Sequence, residues 1–460
     1  MLLKETIIET ILSENYNDFV TEAYANIPKW VDTDVEEVPN IFKDYEYPVS
    51  PWPVLLGKET SSRLEELCVK LPKLLNQVPL LYFNDDVKKI AAFYFDGNEM
   101  LAQFALMANS KNIDVSCRLD LTLTTDGFKV LEANIGSSIG GWQVQSFEPI
   151  IRKIHSKLSN SVTATNFHSK NIQQLYVVFL IDEILKYVTI SDEINVFIEL
   201  SHVEEIILKE YSVDFFNEML HAELTKRKLK GKVVSGALSD LKLINGDLQF
   251  KNEIIHCVLL LSLNTEDVSP DIFRAFIMDR IHFPDHLGVS IIRDKRNLGL
   301  LRTLAEQEKF DEQENELILS CIPWTSMIKH ENQEVLFKKE KHKLSELIRT
   351  HKDQFVIKAS NGFQGIDVFI GKFLSQKEWE DALALAIKTK AFIAQEFSES
   401  KNFLAPNKQK EWTPHKLIWG AFGFGETYGG VWVRMSEVKT DIGVINSATG
   451  AVEAIVYEVV

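Results

Sequence analysis

The sequence predicts a mixed α/β (α+β) fold, because helix-rich and strand-rich stretches follow one another along the chain. Residues 1–110 show mostly helical apolar spacing, as in Glu5–Ile11 and Val87–Met107. Residues 116–141 contain two runs of period-two alternation, and residues 165–300 alternate strand and helix patterns. The 460 residues suffice for roughly two to four domains with sizeable cores.

The composition excludes several classes of protein. With 45% hydrophobic and 25% charged residues, the chain is neither generally disordered nor a disulfide scaffold. The formal net charge of -16 disfavours a protein that mainly grips nucleic-acid phosphates, so we expect no nucleic-acid partner. Charged residues interrupt Met1–Leu12, and no apolar run reaches membrane-spanning length, so we expect neither a signal peptide nor a membrane partner. The four cysteines lack zinc or redox spacing, which suits buried thiols in a cytoplasmic protein.

The stretch Ser116–Gly141 is predicted to form a hairpin that gathers acids on one face. Two alternating runs, Arg118–Leu123 and Phe128–Asn134, flank Thr125-Asp126-Gly127. Gly127 suits the left-handed position that ends a three-residue hairpin loop. This loop would therefore set the pairing between the two strands.

The predicted register pairs Thr124 with Phe128, Asp120 with Glu132, and Arg118 with Asn134. The other face would carry Leu119, Leu121, Leu123 and Leu131, while Thr122 and Val130 would lie beside the acids. A two-residue loop would instead shift the register and separate the two acids.

Two carboxylates that face each other on a sheet repel, unless a cation or a base compensates them. Asp120, Glu132 and Asn134 offer only oxygen ligands, which magnesium prefers, and magnesium also bridges to substrate phosphates. An amphipathic hairpin with a solvated outer face remains the alternative. The small-residue turn at residues 136–141 could present amides to an anion, although a plain flexible connection is the commoner explanation.

The middle of the chain predicts a Rossmann-like open sheet. Asn195–Leu200 and Cys257–Leu263 are expected strands, Val213–Leu229 is an expected helix, and Leu241–Phe250 is an expected hairpin. No glycine-rich dinucleotide fingerprint opens this region, so we expect a substrate-side domain without a nicotinamide cofactor. The cluster at residues 294–296 is compatible with a solvated helix start.

Residues 354–397 predict a strand, a glycine-bearing loop, a second strand, a capped helix and a third strand. The first strand ends in Lys358, and Ser375 with Glu378 forms a capping box at the start of the helix. An ammonium followed by flexible amides is suited to phosphate, although an ordinary hairpin is the simplest alternative. The spacing is not that of a P-loop.

This layout resembles the ATP-grasp fold. The early position of Glu132-Ala133-Asn134 resembles the circularly permuted branch of that superfamily, which includes glutathionylspermidine synthase. The resemblance extends through Asp294-Lys295, Ile322-Pro323-Trp324-Thr325, the Lys358 loop, Gln395-Glu396 and Val433-Arg434-Met435-Ser436 to Asn446. The resemblance begins at about residue 110. After the helical region at 1–110, it implies a permuted metal-binding hairpin at 111–164, a Rossmann-like pre-ATP-grasp domain at 165–305 and a nucleotide-binding region at 306–460.

The resemblance also implies roles for individual residues. Magnesium would be held by Asp120, Glu132 and Asn134. ATP would be bound by Lys358, Ser360, Gly362, Gly365, Gln395, Glu396 and Phe397, with Lys329 as a weaker candidate that is otherwise a solvated lysine. The catalytic cations would be Arg118, Lys358 and Arg434.

The function that the resemblance implies is an ATP-dependent ligase. Such an enzyme joins a small-molecule or peptide carboxylate to an amine or thiol through an acyl phosphate, and it releases ADP and phosphate. Two alternatives stay open, a nucleotide-binding sensor or scaffold without ligase chemistry and an ATP-grasp kinase. Neither the substrates nor the oligomeric state can be predicted from the sequence.

Overall fold

The computed structural model describes residues 27–155, 167–261, 268–360, 367–407, 409, 411–440 and 443–459. The predicted helix at Glu5–Ile11 and the predicted phosphate-loop residues Gly362 and Gly365 lie outside this set. No helix within the described ranges combines the length and the apolar character needed to cross a bilayer.

Helices dominate the described residues before position 110, as predicted. They are Lys58–Asn76, Val78–Phe83, Val87–Tyr94 and Glu99–Asn109. The stretch Val87–Met107, with its helical apolar spacing, forms two helices, because Asp96 and Gly97 between them both adopt positive φ. Asn98 then caps the second helix by accepting the backbone N–H of Leu101 at 3.2 Å.

The largest sheet contains eight strands, which we number in chain order over the whole protein. They are β1 (Val54–Leu56), β2 (Ser116–Thr124), β3 (Gly127–Ile135), β4 (Phe167–His168), β17 (Asn402–Pro406), β18 (Trp412–Phe424), β19 (Thr427–Glu437) and β20 (Val452–Val459). The order is β1-β20-β19-β18-β2-β3, with β17 on β18 and β4 on β20. The early hairpin β2–β3 therefore pairs, through β2, with β18 near the end of the chain.

The middle of the chain forms the predicted open parallel sheet. Its order is β10 (Cys257–Leu260), β5 (Glu193–Glu199), β6 (Lys230–Gly236), and both pairings are parallel. The helices Ile172–Tyr187 and Ile206–Lys226 belong to the same region. The predicted Asn-Gly hairpin is also confirmed, as β7 (Lys242–Ile244) and β8 (Asp247–Phe250), followed by β9 (Glu253–Ile254).

A four-stranded antiparallel sheet carries the Lys358 region. Its order is β11 (Thr325–Met327), β16 (Phe392–Glu396), β14 (Phe355–Ala359), β15 (Val368–Ile370), and β12 (Glu334–Phe337) pairs separately with β13 (Glu340–Lys343). The helix Gln376–Thr389 begins at the predicted capping box of Ser375 and Glu378. The predicted sequence of strand, strand, helix and strand is thus confirmed.

The remaining helices are short and connect these sheets. They are Glu148–Ile154, Pro270–Ile277, Leu287–Ile292, Arg296–Glu306, Glu312–Cys321 and Leu344–Thr350. One core cluster lies around the eight-stranded sheet and a separate one lies under the four-stranded sheet. All four cysteines are buried free thiols. The described residues thus form a mixed α/β fold of several sheets.

Candidate functional site

The turn of the β2–β3 hairpin is tighter than the sequence predicted. Thr124 pairs with Gly127, so the loop contains only Thr125 and Asp126, and the prediction of a three-residue loop is wrong. The side chain of Thr124 closes the turn, since its hydroxyl donates to the Gly127 carbonyl at 2.9 Å and accepts the Asp126 N–H at 3.1 Å. These two bonds favour the shorter loop.

A β-bulge then restores the predicted pairing of the acids. Leu131 is an extra residue in β3, and beyond it Asp120 lies opposite Glu132 and Arg118 opposite Asn134. The bulge takes up the one-residue shift that the shorter loop introduces. The predicted juxtaposition of acids is confirmed, although its predicted cause is wrong.

The bulge also exchanges two neighbours between the faces of the hairpin. Val130 was expected beside the acids, but it is fully buried in the core, and Leu131 was expected in the core, but it lines the polar cleft described below. The other leucines of the predicted oily face, Leu119, Leu121 and Leu123, are buried as expected.

Two guanidinium groups neutralise Asp120. Arg118 donates from Nε to Oδ1 at 2.7 Å and from Nη2 to Oδ2 at 3.1 Å, and Arg434 donates to Oδ2 at 2.7 Å. Burial raises the pKa of Asp120, but the two guanidiniums outweigh it and hold the pKa below its usual value. The repulsion between the facing acids is therefore already compensated by side chains of the protein.

Glu132 remains closer to solvent than Asp120, with 28% of its side chain exposed. Its Oε1 lies 3.5 Å from the ammonium of Lys295. In the amide orientation that satisfies both neighbours, Asn134 links Glu132 and Arg118: its nitrogen donates to Glu132 at 3.1 Å and its oxygen accepts from Arg118 at 3.2 Å. The hairpin thus carries an alternating network of charges.

Lys358 joins the four-stranded sheet to the hairpin. Its ammonium donates to the carbonyl of Leu131 at 2.7 Å and to Oε1 of Gln395 at 2.9 Å, while Gln395 donates to Thr325 at 3.1 Å. Burial lowers the pKa of Lys358 to about 8, against the opposing attraction of Glu132. An ammonium has three N–H groups, so one stays available for a ligand.

These side chains meet in one cleft of about 520 Å³, which we call the polar cleft. Its lining includes most of the predicted site residues: Arg118, Asp120, Glu132, Asn134, Lys358, Gln395, Glu396, Phe397 and Arg434. Ser360 lines an adjoining cavity instead. Lys329 is exposed and is not part of either lining.

The predicted adenine residues lie in an apolar part of the polar cleft, together with Val356 and Phe373. Glu396 is 3.2 Å from the ammonium of Lys338. The backbone N–H of Phe397 donates to the Gln354 carbonyl at 2.7 Å, so this amide is already used within the protein. A base bound here would therefore meet apolar side chains and other polar groups instead of that amide.

Three residues of the cleft carry buried polar atoms that are not satisfied. Oγ1 of Thr122, Nε1 of Trp432 and Nε of Arg434 have no hydrogen-bond partner among the residues that the structure describes. Two of these atoms are N–H donors, and buried donors are rarely left unpaired in folded proteins. The cleft is therefore suited to a ligand rich in acceptor oxygens.

Three amides of the small-residue turn at residues 136–141 are already used within the protein. The N–H of Gly136 donates to Ser116, that of Ser137 donates to Asp285 at 2.8 Å, and that of Gly141 donates to Gln143 at 2.7 Å. The turn instead presents a carbonyl, which accepts a bond from Arg118 at 2.5 Å. These bonds count against anion binding by those three amides.

Two charged residues of the site, Lys295 and Glu453, were not predicted as site residues from the sequence. Lys295, expected in a solvated cluster, is only 8% exposed and faces Glu132. Glu453 is 2% exposed and accepts bonds from Tyr45 at 2.9 Å and Ser447 at 2.5 Å. A signal for Lys295 does exist, because its charged cluster is embedded between apolar runs on both sides.

The donor set fits magnesium that arrives with a phosphate better than a preformed metal cage. Within the described ranges, no group of three or more His, Cys, Asp or Glu side chains is arranged to hold an ion. Both oxygens of Asp120 bond to guanidiniums. Glu132 still has its second carboxylate oxygen, and the amide oxygen of Asn134 has a second lone pair beside the bond from Arg118. Magnesium commonly takes one or two such groups together with substrate phosphates.

The chain is similar in fold to a solved structure. The apo form of a glutathione synthetase-like effector from Globodera pallida superimposes with a TM-score of 0.57 at 12% sequence identity, over 90% of each chain. At this identity the likeness shows the fold alone. No family model and no curated protein matches the chain.

Proposed function

We propose that this protein is an ATP-dependent ligase with a circularly permuted ATP-grasp fold, which joins a carboxylate to an amine or thiol and releases ADP and phosphate. The observation that carries the proposal is the polar cleft, where the acids of β2–β3 and Lys358 of β14 meet although they are far apart in the sequence. The fold likeness to a glutathione synthetase-like protein supports it.

The strand order supports the permuted arrangement. The hairpin β2–β3, which carries the proposed metal ligands, precedes the Lys358 region in the chain but pairs with β18, which follows it. In a permuted chain, strands from the beginning and from the end of the sequence must pair to complete one sheet. The pairing of β2 with β18 fits this requirement.

Transfer of a phosphoryl group depends mainly on positioning and on neutralising charge. In this proposal the third N–H of the Lys358 ammonium donates a hydrogen bond to a phosphate oxygen of ATP. Arg118 and Arg434, held in place by Asp120, present their guanidiniums to the group in transfer. Lys295 lies beside Glu132 and adds a further cation there.

Magnesium would be held by Glu132 and Asn134. Asp120 would act indirectly, because it fixes Arg118, which contacts Asn134. The ion would supply charge neutralisation on the phosphates. Gln395, fixed by Lys358 and Thr325, positions the ammonium, while Phe397 and Phe373 offer apolar contacts to the adenine.

The test is nucleotide turnover with a panel of carboxylates and amines. We expect substrate-dependent release of ADP and phosphate, and hydroxylamine in place of the amine should trap the activated acid as a hydroxamate. Glu132→Gln should retain the fold and lose at least a hundredfold in turnover. Release of AMP and pyrophosphate would refute the acyl-phosphate step.

One observation favours the second candidate, a nucleotide-binding protein without ligase activity. Asp120 is already saturated by two guanidiniums, which leaves fewer free ligands for metal. This candidate predicts magnesium-dependent ATP binding, measured by calorimetry, without turnover for any acid in the panel. A stable phosphorylated product would instead indicate a kinase.

A further inference from the structure

A second cavity adjoins the polar cleft and is mainly apolar, so we call it the apolar cavity. It holds about 1280 Å³. The helices Glu99–Asn109 and Pro270–Ile277 form much of its wall. Their apolar contributions include Met100, Phe104, Met107, Phe273, Ile277 and, just after the second helix, Met278.

Three methionines of this wall are unusually exposed. Met100 is 59% exposed, Met107 45% and Met278 49%. Contiguous exposed apolar side chains typically mark a binding surface. Methionine is flexible and polarisable, so it adapts to irregular apolar ligands. These side chains therefore form a wall suited to an apolar ligand body.

The polar end of the cavity carries a cation without a fixed partner. Arg293 lines the cavity and is partly buried, and its guanidinium forms no hydrogen bond or ion pair with any described residue, although Asp285 and Asp294 attract it from a longer distance. The nearby acids have other partners, since Asp285 accepts the Ser137 N–H at 2.8 Å and Asp294 accepts from Arg296 at 2.6 Å. Arg293 is thus left to meet an anionic group from a ligand.

The polar end also opens toward the proposed reaction site. Glu132, Asn134 and Ser138 line both the apolar cavity and the polar cleft. Lys295, which lines the apolar cavity, lies 3.5 Å from Glu132. Asp285, which attracts Arg293, bonds to Ser137, and Ser137 is the neighbour of Ser138. An acid whose head group lies at Arg293 would therefore approach the shared wall.

We propose that the apolar cavity binds a carboxylic acid with a long apolar body. The carboxylate lies at Arg293, and the body covers Met100, Phe104 and Phe273. That this acid is also the one activated by ATP rests on the proposed function, whereas its binding does not. An amino acid would leave the apolar wall uncovered, and a neutral apolar molecule would leave Arg293 unpaired.

The test is calorimetric titration of the whole protein without nucleotide, using butyrate, octanoate and dodecanoate. Affinity should rise by about fourfold for each added methylene that is buried, until the cavity is full. Octanol, which has the same length as octanoate but no charge, should bind at least tenfold more weakly. Equal affinities across the acid series would overturn the proposal.

Three variants locate the ligand. Arg293→Gln should weaken octanoate about tenfold and leave octanol unchanged, and Met278→Asp should weaken both. Leu336→Asp is the matched control, because Leu336 is 54% exposed and lies outside the cavity, and it should change neither. If Arg293→Gln binds octanoate as the parent does, the head-group position is wrong.

A last arm separates this inference from the proposed function. ATP and magnesium are added to protein saturated with octanoate or dodecanoate, and phosphate release is measured. Binding of the acid without phosphate release supports the apolar cavity as an acid site and counts against ligase chemistry. Absence of binding for every acid overturns the inference, whatever the result with ATP.

Discussion

The polar cleft and the apolar cavity share a wall, yet they are organised by opposite physical means. In the cleft, charged groups fix one another, as Asp120 does with Arg118 and Arg434. In the cavity, partly exposed apolar side chains stand on two helices with few polar contacts. We therefore expect substitutions in the charged network of the cleft to lower the free energy of unfolding. Substitutions in the cavity wall should change it little.

The largest effect should come from breaking the buried charge network. Asp120→Ala leaves two buried guanidiniums without their acid, so we expect a loss of about 3–5 kcal/mol in the free energy of unfolding. Glu399→Ala is the matched control, because Glu399 also meets two lysines but is 52% exposed, and its loss should be about 0–1 kcal/mol. Urea unfolding measures both. A loss of about 1 kcal/mol or less for Asp120→Ala would show that the network does not stabilise the cleft.

The second-largest effect is a pH dependence of the free energy of unfolding, and it comes from Lys358. Its pKa falls from 10.5 to about 8 on folding, so between these values the unfolded chain binds more protons than the native one. The free energy of unfolding should therefore rise with pH across this window, by about 3 kcal/mol in total. ATP affinity should fall over the same range, because the ammonium is lost.

The measurement for Lys358 is the difference between the parent protein and Lys358→Met, in urea unfolding and in ATP titration at pH 7.5 and pH 9.5. Other groups titrate in both proteins, so their contributions cancel in this difference. A parent and variant with parallel pH profiles would contradict the low pKa of Lys358.

A third prediction compares two lysines. Lys295→Met should lower ATP turnover about tenfold, or about 1.4 kcal/mol in the activation free energy, because it removes a cation next to Glu132. Lys329→Met should change turnover less than twofold, because Lys329 is exposed and lines neither the cleft nor the cavity. Steady-state kinetics at saturating ATP test both. The reverse result would restore Lys329 as a phosphate ligand.

The smallest effect concerns the cavity wall. Met278→Ala and Met107→Ala should each change the free energy of unfolding by less than about 0.5 kcal/mol, because both side chains are about half exposed. Urea unfolding of these variants should match that of the parent. A loss as large as that of Asp120→Ala would mean that the two regions are stabilised in the same way.

The sequence predicted the pairing of Asp120 with Glu132 but not how it arises. Alternation of apolar and polar residues fixes which residues share a face as long as the ladder is regular. Here the bonds of Thr124 shorten the turn, and the bulge at Leu131 adds a residue. The one-residue shift from the shorter turn and the one-residue shift from the bulge cancel before Asp120 and Glu132. The alternation of apolar and polar residues therefore could not reveal either deviation.

The burial of Lys295 and the apolar cavity were not predicted, for different reasons. A charged cluster usually lies in solvent, and the sequence alone does not show that Lys295 faces an acid on a distant strand. Met100 and Phe104 have the helical spacing of a core face, and a cavity wall has the same spacing. The predicted roles in metal and ATP binding stay predictions.

The pairing of β2 with late strands has a consequence for synthesis on the ribosome. Asp120 and Arg434 are 314 positions apart in the chain. At 5–20 residues per second, translation needs roughly 15 to 60 seconds between them. During this interval the nascent chain carries the acids of the hairpin without Arg434 and without β18 as a neighbour. A ribosome-bound chain that stops short of β19 therefore lacks one wall of the polar cleft.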